Sequence, residues 1–343
     1  MAATDTDLLN EEYRVLNESC GLVDRSERGK LALTGSGAVE FLNGQVTNEL
    51  AELRPGEGRY AAFLTHKGKM LGDLRILAVG EEPEGPPSEL LLDTERVALQ
   101  ALFDMIRRFK VGYDVELHKR TVERGLLSLV GPRSREIAAN VTGIEPDALP
   151  ETEHTHVFAQ AAGHPTRLIA TEAAGVDILC NADDHDLVRD ALQQGGAVPV
   201  SEQAAEIVRV ERGRPRYGVD IDDNTIPQEA GLNERAVSFT KGCYVGQETV
   251  ARLHYRGKPN RHLRGLRLSA LAVPGDEMHL GERSVGHLSS VALSPSRGPI
   301  ALALVRREAE PGATVSVGDH GVSAVVVELP FDGLARGLTS ASS

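Results

Sequence analysis

The sequence contains no tryptophan, and aromatic residues make up only 4% of it. That scarcity argues against a platform for single-stranded nucleic acid, which needs exposed rings on which successive bases can stack. Cysteine is also scarce: Cys20, Cys180 and Cys243 are far apart and odd in number. Without a CxxC pair, neither a zinc ribbon nor a self-contained iron–sulfur cluster is encoded. A disulfide framework is disfavoured too, which points to a reducing compartment. No apolar run approaches the length that crosses a bilayer. The stretch MAATDTDLLNEEY carries acids where a signal or transit peptide would carry Arg or Lys, so a cytoplasmic protein is expected. GxSxG, HExxH and Walker A motifs are missing as well.

Positive charge is outnumbered. The formal net charge is -13, which repels phosphate backbones and makes direct nucleic-acid or anionic-membrane binding a poor expectation. The 343 residues leave room for two or three domains with their own cores. Residues 7–17 read as an amphipathic helix with Gly21 as its stop. A strand at 30–33, a Gly-rich turn and a helix capped by Ser36 follow. Strands at 59–64 and 70–78 are joined by a hairpin-type connection. Next come a strand at 90–92, a helix capped by Thr94 and a strand at 111–117. From residue 126 the order strand, Gly-containing turn, helix, strands, helix recurs. Two ferredoxin-like, split βαβ lobes are therefore expected. After Pro259 short strands between Gly/Pro turns have the rhythm of a small β-barrel. The fold class is α+β, with lobes at 1–120 and 121–258, a barrel at 259–335 and a disordered tail at 336–343.

Several candidate sites reduce to ordinary structure. Gly35-x-Gly37 lacks the third glycine of a dinucleotide fingerprint, because Glu40 occupies its place. Asp220-x-Asp222-x-Asn224 begins like a calcium loop, but Thr225 stands where glycine is needed. Asp183 to Asp186 is explained by acids at a helix start. His154-x-His156 reads as a pair of surface histidines on one strand face. No metal site is expected.

The stretch with the densest chemistry is Lys241-Gly242-Cys243-Tyr244-Val245-Gly246-Gln247-Glu248. Its residue types allow two readings: a thiol whose pKa a neighbouring ammonium lowers, or a tight turn into a strand with Cys243 as a small buried hydrophobe. From Thr249 to Gly275 there is no acid, yet Arg252, Arg256, Lys258, Arg261, Arg264 and Arg267 are present. In an acidic chain this suggests an anionic ligand tail or an acidic partner, against a solvated strand face.

This octapeptide, continued by Val250-Ala251-Arg252, resembles the signature of the YgfZ-type folate-binding proteins, whose eukaryotic relatives act in mitochondrial iron–sulfur cluster assembly. They belong to the superfamily of the glycine cleavage T-protein, an aminomethyltransferase that uses tetrahydrofolate. Gly21-Leu22-Val23-Asp24-Arg25-Ser26, the Lys67-Gly68-Lys69-Met70 turn and Gly286-His287-Leu288-Ser289-Ser290 extend the resemblance over nearly the whole chain. It implies a site for tetrahydrofolate or a one-carbon derivative lined by Tyr60, Asp73, Arg209 and Glu211. A carboxylate can accept the paired N–H donors of a pterin edge, and arginine suits the glutamate tail. The T-protein's paired Asp residues appear here as Gly72-Asp73, and its Gly-Glu before Gly-Tyr-Glu as Glu172-Ala173 before Gly175-Val176-Asp177. The pterin-binding Glu is thus displaced to Glu172 or absent.

The resemblance further implies Cys243 as a functional thiol, Lys241 favouring its thiolate, and Gln247 and Arg252 orienting a ligand or partner. Expected partners are iron–sulfur client enzymes or assembly factors, with radical enzymes that thiolate tRNA among the clients. The alternative is a folate-dependent aminomethyl- or methyltransferase acting through Asp73. An RNA-binding module built on the basic run is the third reading.

Overall fold

The computed structural model describes residues 5–331. The expected tail at 336–343 lies outside these residues. Contacts divide the chain into two compact units, Met1–Ala205 with Leu232–Ala251, and Glu206–Gly231 with Arg252–Ser343.

The first unit opens with α1 (Asp5–Glu18), β1 (Gly21–Asp24), β2 (Gly29–Thr34), α2 (Ala38–Asn43), β3 (Gly58–Leu64), β4 (Met70–Val79), β5 (Glu89–Thr94), α3 (Leu99–Phe109) and β6 (Glu116–Lys119). It continues with β7 (Arg124–Val130), α4 (Ser134–Thr142), β8 (His156–Ala161), β9 (His164–Ala170), β10 (Val176–Asn181), α5 (His185–Gln194) and β11 (Val198–Pro199). After α6 (Glu202–Glu211) come α7 (Asn233–Ala236) and α8 (Gln247–Arg256).

One sheet has the order β3-β4-β5-β2-β6 and the other β8-β9-β10-β7-β1-β11. The internal repeat is visible in this order. Strands β2 to β6 correspond one for one to β7 to β11, and each half runs strand, helix, three strands, helix, strand. The exception is β1, which inserts between β7 and β11 of the second sheet. Gly21 thus begins a strand after the helix it was expected to stop.

The periodicities explain the layers. In α3, Leu102, Met105 and Ile106 are buried at spacings of three and four and form one apolar stripe. Strand β4 is buried at eight of ten positions, the mark of a strand covered on both faces. Ala32, Leu77 and Leu91 of the first sheet form one cluster with Ile169 of the second, so the sheets share a core. Leu127, Leu129, Ile178, Ile137, Val188 and Leu192 anchor a second cluster between the second sheet and helices α4 and α5.

Local capping differs from the sequence reading. Ser36 donates its hydroxyl to Asp114 at 2.7 Å and makes no cap bond; Gly37 precedes the helix. Thr94 ends a strand, and its Oγ1 donates to the backbone carbonyl of Asp73. Both hydroxyls found partners brought in by tertiary structure, which local propensity does not contain.

The second unit holds the curled antiparallel sheet of β12 (Arg261–Leu268), β13 (Glu277–Leu280), β14 (Arg283–His287), β15 (Ser290–Ser294), β16 (Gly298–Arg306), β17 (Thr314–Val317) and β18 (Val322–Val327). Its order is β14-β13-β17-β18-β12-β16-β15, and Leu266, Met278, Val285, Ala303 and Val326 meet in its core. The α+β class with two ferredoxin-like sheets and a C-terminal barrel-type sheet is as the sequence led one to expect.

Candidate functional site

The pairing registers gather four polar side chains on one face of the first sheet. Arg75 on β4 stands opposite Tyr60 on β3 and opposite Asp93 on β5, and Asp73 lies two residues before Arg75. Side chains two apart on a strand, and directly opposite across strands, share a face. Tyr60 reaches diagonally, and its hydroxyl donates to Asp73 Oδ2 at 2.6 Å. Arg75 donates to Asp93 at 2.9 Å and, across to the second sheet, to Asp177 at 2.7 Å. Asp177 also accepts from Ser128, its partner on β7, at 2.6 Å. Arg28 completes the cluster by pairing with Asp93 at 2.8 Å and with Glu95.

These carboxyls differ in their surroundings. Burial works to raise Asp93, but Arg28 and Arg75 outweigh it and hold the group below the usual aspartate range. Asp73 has no arginine of its own. Burial lifts it from 3.8 to about 6, with Glu95 adding to the rise and the Tyr60 bond opposing it. Burial, followed by the Asp73 charge, pushes the Tyr60 phenol well above its ordinary value, so Tyr60 remains a donor. A buried carboxyl near half-protonation beside a fixed hydroxyl can take up and return a proton close to neutral pH.

Two further groups border Tyr60: His154 stacks on its ring, and the Arg235 guanidinium lies over it. The histidine pair is not on the surface. The His154 side chain is 14% exposed and His156 only 4%. Burial lowers them to about 4 and about 3 respectively, so both are neutral at pH 7.

The octapeptide forms a turn that leads into a helix, α8, where a strand was expected. Lys241 is buried, and its ammonium donates to the carbonyls of Asn43, Val46 and Asn48 at 2.7, 2.9 and 2.7 Å. An ammonium has three hydrogens, so none is left for the Cys243 thiol. Lys241 staples the 43–48 segment in place, and its expected role in favouring a thiolate has no geometry behind it. Burial pushes Lys241 down to about 8, against the pull of Glu49. Tyr244 packs beneath it with its ring 5.3 Å from Nζ.

Gly246, at φ 85°, lies against the 65–68 turn so closely that a Cβ would come within 2.6 Å of the Thr65 carbonyl. Cys243 itself is exposed, whereas Cys20 and Cys180 are buried. Gln247 turns its amide back to the Gly242 carbonyl at 3.4 Å, and Arg252 is exposed on α8.

Arg209 and Glu211 belong to the second unit. Arg209 gives Nε to Glu206 at 2.8 Å, Nη1 to Asp220 at 2.6 Å and to the Arg214 carbonyl, and Nη2 to Ser290 at 2.6 Å and to Glu206. All five guanidinium N–H groups are engaged inside the unit, so the arginine has no donor left for a ligand carboxylate in this arrangement. Glu211 accepts from Ser294 and, at 3.3 Å, from Ser296. Asp220, expected to be a loop acid, is a buried hub that takes Ser289 and Ser290 at 2.6 and 2.7 Å. Glu172 heads a short turn in which Ala173 and Ala174 have φ of 51° and 61°.

Sequence reasoning thus found Tyr60 and Asp73 as a contacting pair and missed Arg75, Asp93 and Arg235. A charged residue inside an apolar strand run, as in Leu71-Gly72-Asp73-Leu74-Arg75-Ile76, was the available signal: buried charge requires a partner. Among the described residues, no cluster of His, Cys, Asp or Glu could hold a metal ion, and no helix is long and apolar enough to cross a membrane.

The chain is 28% identical over 332 residues to an aminomethyltransferase of Halothermothrix orenii, covering 94% of this chain and 90% of that one. An aminomethyltransferase of Corynebacterium aurimucosum is likewise 28% identical, over 91% of this chain and 86% of the relative. The solved glycine cleavage system aminomethyltransferase T from Bartonella henselae shares the fold, with a TM-score of 0.83 at 23% identity over 94% of this chain and 89% of that structure. The GCVT N-terminal domain model matches residues 3–241, and the glycine cleavage T-protein C-terminal barrel domain model matches residues 261–332. With both models matched in order and together spanning most of its length, the chain belongs to the glycine cleavage T-protein family.

Proposed function

We propose that this protein binds tetrahydrofolate and transfers an aminomethyl or methyl one-carbon group, with Asp73 as its proton-handling residue. Aminomethyltransferases of this family use tetrahydrofolate. The observation that carries the reading is Asp73: a buried carboxyl, lifted to about 6 and fixed by the Tyr60 hydroxyl at 2.6 Å. The donor set suits the ligand, because a carboxylate accepts adjacent N–H groups of an amino-pyrimidine edge as a pair. Bound tetrahydrofolate supplies the nitrogens that accept the one-carbon unit. Asp73 holds or releases a proton at its carboxyl, and Tyr60 orients that carboxyl and favours its ionised form. Asp93 and Asp177, already paired with Arg75, serve as the scaffold.

Calorimetric titration with tetrahydrofolate tests binding, and turnover of an aminomethyl-lipoyl carrier tests transfer. Binding by wild type with transfer lost in Asp73→Asn supports the proposal. Absence of tetrahydrofolate binding removes it.

A second reading, a folate-binding helper of iron–sulfur enzymes, draws on one observation: the exposed Cys243 stands on a turn anchored by Lys241 and Gly246. Cells carrying Cys243→Ala that retain full iron–sulfur enzyme activity would rule this reading out. Loss of that activity with carrier turnover intact would favour it.

A further inference from the structure

Two groups that touch Tyr60 have no part in the chemistry above. His154 precedes β8 with φ of 74°, a left-handed conformation that persists at a residue with a Cβ only where the surroundings over-determine it. They do so here. Its N–H donates to the Ala170 carbonyl at 2.8 Å, and its own carbonyl closes on Gly58, where a Cβ would come within 2.4 Å of that oxygen. The imidazole fixed in this way stacks on Tyr60, with centroids 6.0 Å apart and planes 28° apart. Its Nδ1 is buried without a hydrogen-bond partner. A histidine that is strained, kept neutral by burial and left with an unmatched polar atom is a poor choice for filling space.

Arg235 holds the same ring from another segment. Its guanidinium carbon lies 5.0 Å from the Tyr60 centroid, and Glu153 secures it at 2.7 Å. The backbones are tied together as well: Asn48 Nδ2 donates to the Tyr60 carbonyl at 2.8 Å and to the Arg235 carbonyl at 3.2 Å.

We infer that His154 and Arg235 are positioning residues that hold the Tyr60 ring so that its hydroxyl rests on Asp73 before any ligand arrives. The inference rests on the reading of Asp73 as the proton-handling group. The groups acting directly on the Asp73 carboxyl are Tyr60 from β3, and Glu95 and Arg28 from the segments beside β5 and β2. Arg235 acts on Tyr60. Asp73 therefore senses Arg235 and His154 through the phenol. Donation from Tyr60 favours ionised Asp73, so a loosened ring raises the carboxyl's proton affinity.

The test is a carbon-13 carboxyl NMR titration of Asp73 in ligand-free protein, comparing wild type with Tyr60→Phe, Arg235→Lys and His154→Asn. Asparagine tolerates the left-handed backbone but removes the ring, and lysine keeps the charge but loses the flat guanidinium face. Tyr60→Phe is expected to move the Asp73 midpoint up by about one pH unit. Arg235→Lys and His154→Asn should each shift it in the same direction, and neither should shift it further in a Tyr60→Phe background. Unchanged midpoints in both single variants, or equal shifts without the phenol, overturn the inference. The titration uses no folate, so its outcome is independent of the binding experiment that decides the function.

Discussion

Replacing Asp73 by Asn should stabilise the protein at neutral pH while removing its chemistry. Burial raises the Asp73 carboxyl from 3.8 to about 6. In the unfolded chain the group has lost its proton by about pH 4, whereas the folded protein keeps it until about pH 6. A raised carboxyl contributes stability that is fully present below the unfolded value and is lost as pH rises through the folded one. At pH 7 the folded state therefore holds a charge in a place that solvates it poorly. The difference of about two pH units corresponds to ~3 kcal/mol. Asparagine cannot ionise, and its carbonyl can still accept from Tyr60. Urea unfolding of both proteins from about pH 4 to about pH 8 measures the effect, with other titrating groups cancelling in the difference. The variant should gain on wild type between those two pKa values and then hold a constant lead. A difference that does not change with pH, or wild type gaining as pH rises, refutes the burial argument. The same variant should show no carrier turnover, which would identify the buried charge as a stability cost retained for activity.

The octapeptide offers three more tests. Lys241→Met removes an ammonium that satisfies the Asn43, Val46 and Asn48 carbonyls; thermal unfolding should show a loss of ~3 kcal/mol or more, since each unmatched buried carbonyl costs roughly 1–3 kcal/mol. Gly246→Ala should destabilise by about 1–3 kcal/mol, from its positive φ and the close Thr65 carbonyl, whereas Gly242→Ala, with open space around it, should be nearly neutral in the same assay. Iodoacetamide should modify Cys243 rapidly in the native protein and the other two thiols only on unfolding: both are buried, and burial raises Cys20 and pushes Cys180 up to about 11.

Much of the architecture was legible because the repeat is written twice. The same succession of apolar strands and 3.6-periodic helices appears from residue 29 and again from residue 124. The inserted strand β1 was not legible. Gly21 is an equally good helix stop and strand start, and only pairing with Leu127 to Val130 decides between them. The residues after Gly246 were taken for a strand because Thr249, Val250 and Tyr255 favour one. They form a helix that buries Val250. His154 read as a surface residue because nothing local predicts a left-handed histidine. At the site, the Tyr60–Asp73 pair was reached through resemblance, while the salt links around it come from registers between strands far apart in sequence. Lys241 shows the limit most clearly: its neighbour in sequence is the thiol turn, but its partners lie nearly two hundred residues earlier.

The ionic cluster also explains why one acid among several is fit for chemistry. Four carboxyls, those of Asp73, Asp93, Glu95 and Asp177, face two arginines, Arg28 and Arg75. Arg28 is shared by Asp93 and Glu95, and Arg75 by Asp93 and Asp177, so both cations are engaged without Asp73. Breaking either link would leave a buried charge unpaired, which costs about 3–5 kcal/mol. The network is consequently stiff and leaves Asp73 with only the neutral Tyr60 hydroxyl. A carboxyl without a cation in a buried place holds its proton to higher pH, while its paired neighbour Asp93 is kept ionised. The two sheets thus divide the labour by charge pairing: Arg75 and its two aspartates join them, and the acid left out of that joint is the one whose protonation can change near neutral pH.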